Sequence, residues 1–152
     1  MKLIYVLNGP NLNLLGEREP EIYGRTTLDE IRQNCEARAA SLGLAVDFRQ
    51  TNFEGELIES VHQARRAAAG IIINPAGYTT TSIGLMDALL AVELPVIEVH
   101  ITNIHRREEF RHHSFVSKAA TGVIAGLGVQ GYALALEAMA ELVGAEEPDE
   151  AA

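Results

Sequence analysis

The sequence predicts an α/β fold: a doubly wound, five-stranded parallel sheet in the order 2-1-3-4-5, with helices on both faces. Three observations predict it. Short β-branched runs alternate with helical patterns along nearly the whole chain. Two of those runs, "GIIIN" and "PVIEVH", are mostly apolar and bounded by turn residues, which suits strands buried on both faces. Five such runs in 152 residues fit one domain with one good core, placed at residues 1–143.

The first strand is expected at residues 2–7. A long connection follows, "NGPNLNLLGEREPEIYG". Most connections are about 4–6 residues, and longer ones tend to be functional or disordered. Leu12, Leu14, Leu15, Ile22 and Tyr23 are not the composition of a disordered linker, so a functional lid is expected there. The next helix opens on Thr27-x-x-Glu30, a capping-box pattern. It keeps Leu28, Ile31, Cys35 and Leu42 on one face until Gly43 stops it. Cys35 lies in that stripe and reads as a buried, inert thiol.

Strand two is expected at 45–50, a helix at 54–69, and strand three at 70–74. The helix at 82–92, in "SIGLMDALLAVEL", has Asp87 and Glu93 as its only charges. A helix apolar nearly all round is buried on more than one side, so a homo-oligomer is expected. Strand four follows at 95–100, then an irregular segment, strand five at 121–125 and a last helix at 129–143. This matches the flavodoxin-like pattern, in which ligands bind outside the carboxyl ends of the strands. The loops that matter therefore begin at Asn8, Thr51, Pro75 and Ile101.

The formal net charge is −9, and Glu146, Glu147, Asp149 and Glu150 lie in an acidic tail, residues 144–152, expected to be solvated and disordered. Without those four acids the body still carries −5 and has no basic stripe. That argues against nucleic acid or an anionic membrane as partner. An anionic ligand would have to be held by local arginines. Nothing at the N-terminus reads as a signal peptide, and no apolar run approaches the roughly 20 residues that span a bilayer. The single Cys35 suits a reducing compartment, so a cytoplasmic protein is expected.

Gly126-Leu127-Gly128-Val129-Gln130-Gly131 is a literal G-x-G-x-x-G. That motif belongs in the first βαβ unit, with an acidic residue about 20 positions on. Here it opens the last helix, and tight-turn glycines are the better reading. His100, His105, His112 and His113 cluster near Glu98, but without H-E-x-x-H or C-x-x-C spacing; no metal is expected. The third constellation is spread over loop starts: Arg18 and Tyr23, Asn74, His100 and Arg111. Together they offer an acid, a base, cationic clamps and a neutral hydrogen bonder at one sheet edge.

"LNGPNLNLLGEREPEIYG", "NFEGELI", "IIINP", "PVIEVHITNIHRREEFRHHSF" and "GVIAGLGVQGY" closely resemble the type II 3-dehydroquinate dehydratases, in register from about residue 2 to 142. The resemblance implies a dodecamer built as a tetramer of trimers, no metal or cofactor, and reversible loss of water from 3-dehydroquinate, in the shikimate pathway or quinate catabolism. Tyr23 matches the base that removes the proton next to the ketone, and His100 the acid that protonates the departing hydroxyl. Arg18 matches the cation beside that base; a free phenol ionises near pH ~10, so the base needs one. Asn11 matches an asparagine holding a water near the enolate. Asn74, the backbone at Ile101 and Thr102, and Arg111 match substrate-binding positions. Asp87 matches an aspartate reaching the site from a neighbouring subunit. The family usually reads N-P-G-A-Y-T-H-T-S where this chain has "NPAGYTTTS". Ala76 and Gly77 are thus exchanged, and Thr80 replaces a substrate-binding histidine. Two alternatives stay open: a flavodoxin-like ligand-binding protein, and a family member with altered substrate or reduced turnover because of Thr80.

Overall fold

The computed structural model describes residues 1–149. Strands β1 (Lys2–Asn8), β2 (Leu44–Gln50), β3 (Gly70–Asn74), β4 (Val96–His100) and β5 (Gly122–Ala125) form one parallel sheet in the order β2-β1-β3-β4-β5. The expected order is the one adopted. The helices are α1 (Pro20–Tyr23), α2 (Leu28–Ser41), α3 (Glu54–Ala67), α4 (Ile83–Val92) and α5 (Gln130–Val143). No helix among the described residues is long and apolar enough to cross a membrane.

Alternation of side chains along the strands splits the core into two layers. Ile4, Val6, Ile72, Ile97 and Val99 pack with Ile31, Cys35 and Ala39 of α2 and Ala135, Leu136 and Met139 of α5. Tyr5, Leu7, Ile71, Ile73 and Val96 pack with Leu57, Val61 and Ala64 of α3 and Leu85 and Leu89 of α4. Burial, with a smaller push from Glu36, raises the Cys35 thiol to about 12, which keeps it inert.

Local chemistry sets the element ends. The Glu30 N–H donates to Thr27 Oγ1 at 3.2 Å, as a capping box requires. Its second arm differs: the Glu30 carboxylate accepts from the Thr27 hydroxyl instead of the Thr27 N–H. Past α2, Gly43 has φ +74°, and a Cβ there would fall 1.9 Å from the Glu146 carbonyl oxygen. Glycine is needed there for both reasons, because the chain beyond α5 runs over it. Ala145 packs into the α2/α5 layer. Of the acidic tail, residues 150–152 lie outside the described residues.

Ser82 caps α4 by accepting the Leu85 N–H at 2.9 Å. Ile83 and Leu90 of α4 are each 53% exposed, so one apolar side of this helix is uncovered in the single chain. The long connection after β1 contains a 3-10 turn, Leu12–Leu14, and the single turn of α1. Leu12 and Leu15 anchor it in the core, while Leu14 and Ile22 face outward.

The turn after β3 is strained. Ala76 has φ +52°, in the left-handed region, which costs an L residue roughly 1–2 kcal/mol. Gly77, next to it, has open space where a Cβ would stand. The exchange of alanine and glycine thus puts the methyl at the strained position. After allowing for glycine's greater freedom in the unfolded chain, Ala76→Gly is expected to stabilise by about 0.5–1 kcal/mol. That corresponds to a Tm increase of about 1–4 °C by calorimetry; an unchanged or lower Tm would show that the turn carries no strain.

Candidate active site

β1, β3 and β4 end in Asn8, Asn74 and His100, all buried and all at the carboxyl edge of the sheet. Beside them the connection after β1, the turn after β3 and the segment after β4 enclose a cavity of about 200 Å³. That is below the roughly 300–1,000 Å³ of drug-sized clefts and suits a small polar molecule. Nine of the ten expected site residues line it: Asn11, Arg18, Tyr23, Asn74, Thr80, His100, Ile101, Thr102 and Arg111. The tenth, Asp87, is exposed on α4 and does not.

One side of the cavity is built on β4. Two residues apart on a strand, Glu98 and His100 share a face, and the Glu98 carboxylate meets His100 Nε2. Glu98 is fully buried. Ser117 Oγ donates to its Oε1 at 2.7 Å and Ser114 Oγ to its Oε2 at 2.9 Å. Burial alone would raise this carboxyl, but the bonds from His100, Ser117 and Ser114 and the attraction to His100 outweigh it. Glu98 is therefore held below its ordinary value of 4.5. With Nε2 engaged, Nδ1 is the His100 nitrogen left for a ligand.

The other side is built around Tyr23, half-buried in α1. Its phenol oxygen accepts from Arg107 Nη1 at 2.8 Å. Arg18 lies over the ring, 5.0 Å from its centroid, and pairs with Glu19 at 3.4 Å. The expected cation is thus present but covers the face of the ring. The cation bonded to oxygen is Arg107, which the sequence did not single out. His112 Nε2 donates to the Arg107 carbonyl at 2.9 Å and helps place it.

The remaining groups are held as follows. Asn74 Oδ1 accepts from the Ala76 N–H at 3.2 Å, and its Nδ2 donates to Tyr132 Oη at 3.0 Å. Thr80 Oγ1 donates to the Gly77 carbonyl at 3.1 Å, which leaves its oxygen lone pairs to accept from a ligand. Arg111 Nε donates to Glu108 at 2.8 Å. Asn11 has φ +68°, and its N–H donates to Asn52 Oδ1 at 3.0 Å. The glycine-rich turn packs behind the site: a Cβ on Gly126 would fall 2.9 Å from Asn103 Cβ, and the Gly128 N–H donates to the Ile101 carbonyl. Among the described residues, no three His, Cys, Asp or Glu side chains converge as a metal site would.

The family model for class II dehydroquinase matches residues 2–140. The chain is 63% identical to the 3-dehydroquinate dehydratase 2 of Pseudomonas aeruginosa over 140 residues, 92% of this chain and 95% of that one. It is 59% identical to the 3-dehydroquinate dehydratase of Caulobacter vibrioides over 143 residues, 94% and 98% of the two chains. Among solved structures, the type II dehydroquinase from Propionibacterium acnes superposes with a TM-score of 0.90 at 50% identity, covering 93% and 97% of the chains.

The depressed Glu98 value makes a pH prediction. A carboxyl held below 4.5 contributes stability that is present above that pH and lost as pH falls through the folded value. Glu98→Gln should therefore be less stable than the parent near neutrality and lose less on acidification. Urea unfolding from about pH 7 to about pH 3 would measure this; equal slopes for the two proteins would contradict an ionised, buried Glu98.

Proposed function

This chain belongs to the class II dehydroquinase family, whose named members dehydrate 3-dehydroquinate, and we propose how its cavity performs that reaction. Tyr23, as phenolate, takes the proton from the carbon next to the ketone. The C–H electron pair moves into an enolate, whose charge must be stabilised as it forms; Asn11 holds a water against it. The enolate then expels the hydroxyl on the neighbouring carbon, anti to the lost proton. His100 delivers a proton to that hydroxyl from Nδ1, and water leaves. Return of the Tyr23 proton to His100 through solvent completes the cycle, with 3-dehydroshikimate and water as products.

The observation that carries this reading is the pairing of each acid–base group with an opposite charge across one small cavity. The Arg107 N–H on the phenol oxygen and the Arg18 charge over the ring stabilise negative charge on Tyr23. The Glu98 carboxylate orients His100 and supports a proton on it. Asn74, Thr80, Arg111 and the backbone at Ile101 and Thr102 hold the substrate, with Arg111 exchanging Glu108 for the substrate carboxylate. Removing a positioned general base typically costs about 10²–10⁴-fold. Tyr23→Phe should lose at least that much kcat, followed by the enone absorbance of the product, while the variant still binds substrate. Near-normal turnover would overturn the assignment.

The assembly completes the site in this reading. Asp87 stands outside the cavity of its own chain, on the helix whose Ile83 and Leu90 are half-exposed. An Asp87 supplied by a neighbour, within a dodecamer of four trimers, accounts for both facts. A cytoplasmic setting suits the free Cys35. Light scattering on the purified protein should give the dodecamer mass; a catalytically competent monomer would overturn the shared site.

A further inference from the structure

Two tyrosines serve this site in opposite ways. Tyr23 faces the cavity, whereas Tyr132, in the first turn of α5, is 2% exposed and touches no part of it. Burial raises the Tyr132 phenol, and the bond from Asn74 offsets this only in part, so the hydroxyl stays protonated. It lies in the middle of a chain of hydrogen bonds. Tyr132 Oη donates to Asn8 Oδ1 at 2.7 Å and accepts from Asn74 Nδ2 at 3.0 Å. Beyond these, Asn8 Nδ2 donates to the Arg49 carbonyl at 3.0 Å, and Asn74 Oδ1 accepts from the Ala76 N–H at 3.2 Å.

The two ends of this chain are backbone groups, which cannot swap roles. The Arg49 carbonyl can only accept, which turns the Asn8 amide so that its oxygen faces Tyr132. The Ala76 N–H can only donate, which turns the Asn74 amide so that its nitrogen faces Tyr132. A hydroxyl between them can donate one way and accept the other, and no apolar residue can do either. Reversing any one member would set two donors or two acceptors face to face in a buried place. Asn74 thus has one amide orientation. One Nδ2 hydrogen is spent on Tyr132, and the other is left as the group that Asn74 offers to the cavity.

We propose that Tyr132 is a positioning residue for substrate recognition: its hydroxyl locks the Asn74 amide so that a single N–H is presented to an acceptor oxygen on the substrate ring. The inference rests on the reading of Asn74 as a substrate-binding residue, and the test separates the two. Kinetics on 3-dehydroquinate would be measured for Tyr132→Phe, Asn74→Ala and the double variant, alongside thermal unfolding of each. Tyr132→Phe is expected to raise KM about tenfold, with kcat changed much less; this equals about 1.4 kcal/mol of binding. Asn74→Ala should raise KM by at least as much, and the double variant should be no worse than Asn74→Ala alone, because both act through one amide. A KM increase from Tyr132→Phe that persists undiminished on the Asn74→Ala background would overturn the positioning role. So would a lowered Tm with KM unchanged. An unchanged KM in Asn74→Ala would instead overturn the reading of Asn74 itself. Should Tyr132→Phe not fold, Asn8→Ala removes the far anchor of the chain without touching the cavity. It is expected to raise KM in the same non-additive way, and normal KM there would sink the proposal.

Discussion

Three neighbouring strands end in buried polar side chains, Asn8, Asn74 and His100, and a buried polar group left without a partner costs about 1–3 kcal/mol. Much of the surrounding structure answers that constraint. Tyr132 reaches from α5 to satisfy both asparagines at once. Glu98 satisfies His100 but is itself a buried carboxylate, and so needs Ser114 and Ser117 from the segment after β4. The parallel sheet contributes position; these second partners decide which atoms remain free at the edge. They leave one amide N–H on Asn74 and Nδ1 on His100, a small and specific set.

The electrostatics are local in the same sense. A chain of formal charge −9 collects Arg18, Arg107 and Arg111 around one cavity. Each rests near an acid: Arg18 by Glu19, Arg111 and Arg107 by Glu108. Glu19 and Glu108 are solvent-exposed, and exposed ion pairs contribute little, about 0–1 kcal/mol. Opening such a pair, as the proposed exchange at Arg111 requires, therefore costs little. Glu98 is different: it is fully buried, so water does not compete for its bonds to His100, Ser114 and Ser117. Exposure thus separates the Arg111–Glu108 pair, which opens at little cost, from the buried Glu98–His100 pair, which does not.

Sequence pattern made the sheet order legible because a fully buried strand reads as an unbroken apolar run, as at residues 71–73. Tyr23, His100 and Asn74 were legible because they sit at strand ends or on a connection too long for its fold. Arg107 was not: in "NIHRREEFR" several cations follow each other without a period, and only the folded segment selects one for the phenol. Glu98 was within reach, since Glu-x-His on a strand puts both side chains on one face. Tyr132 was hidden for another reason. Its partners are 58 and 124 residues away, and its helix registers only as an apolar stripe.

The turn after β3, "NPAGYTTTS", is where the chain departs from the pattern that the resemblance implies. Ala76 is strained at φ +52°, Thr80 donates its hydroxyl hydrogen to Gly77, and the Thr79 hydroxyl is buried with no partner. Two small costs within four residues, the strain at Ala76 and the unpaired Thr79 hydroxyl, are the pattern of a segment shaped for a ligand more than for its own stability. Nor is the turn independent of the acid. The Thr79 carbonyl accepts from the Phe115 N–H at 2.9 Å, and Phe115 follows Ser114, which donates to Glu98. The backbone of this turn is thus tied, through one hydrogen bond and one peptide link, to the serine that satisfies Glu98. In the proposed mechanism the turn that carries Thr80 and the acid His100 therefore share a structural support.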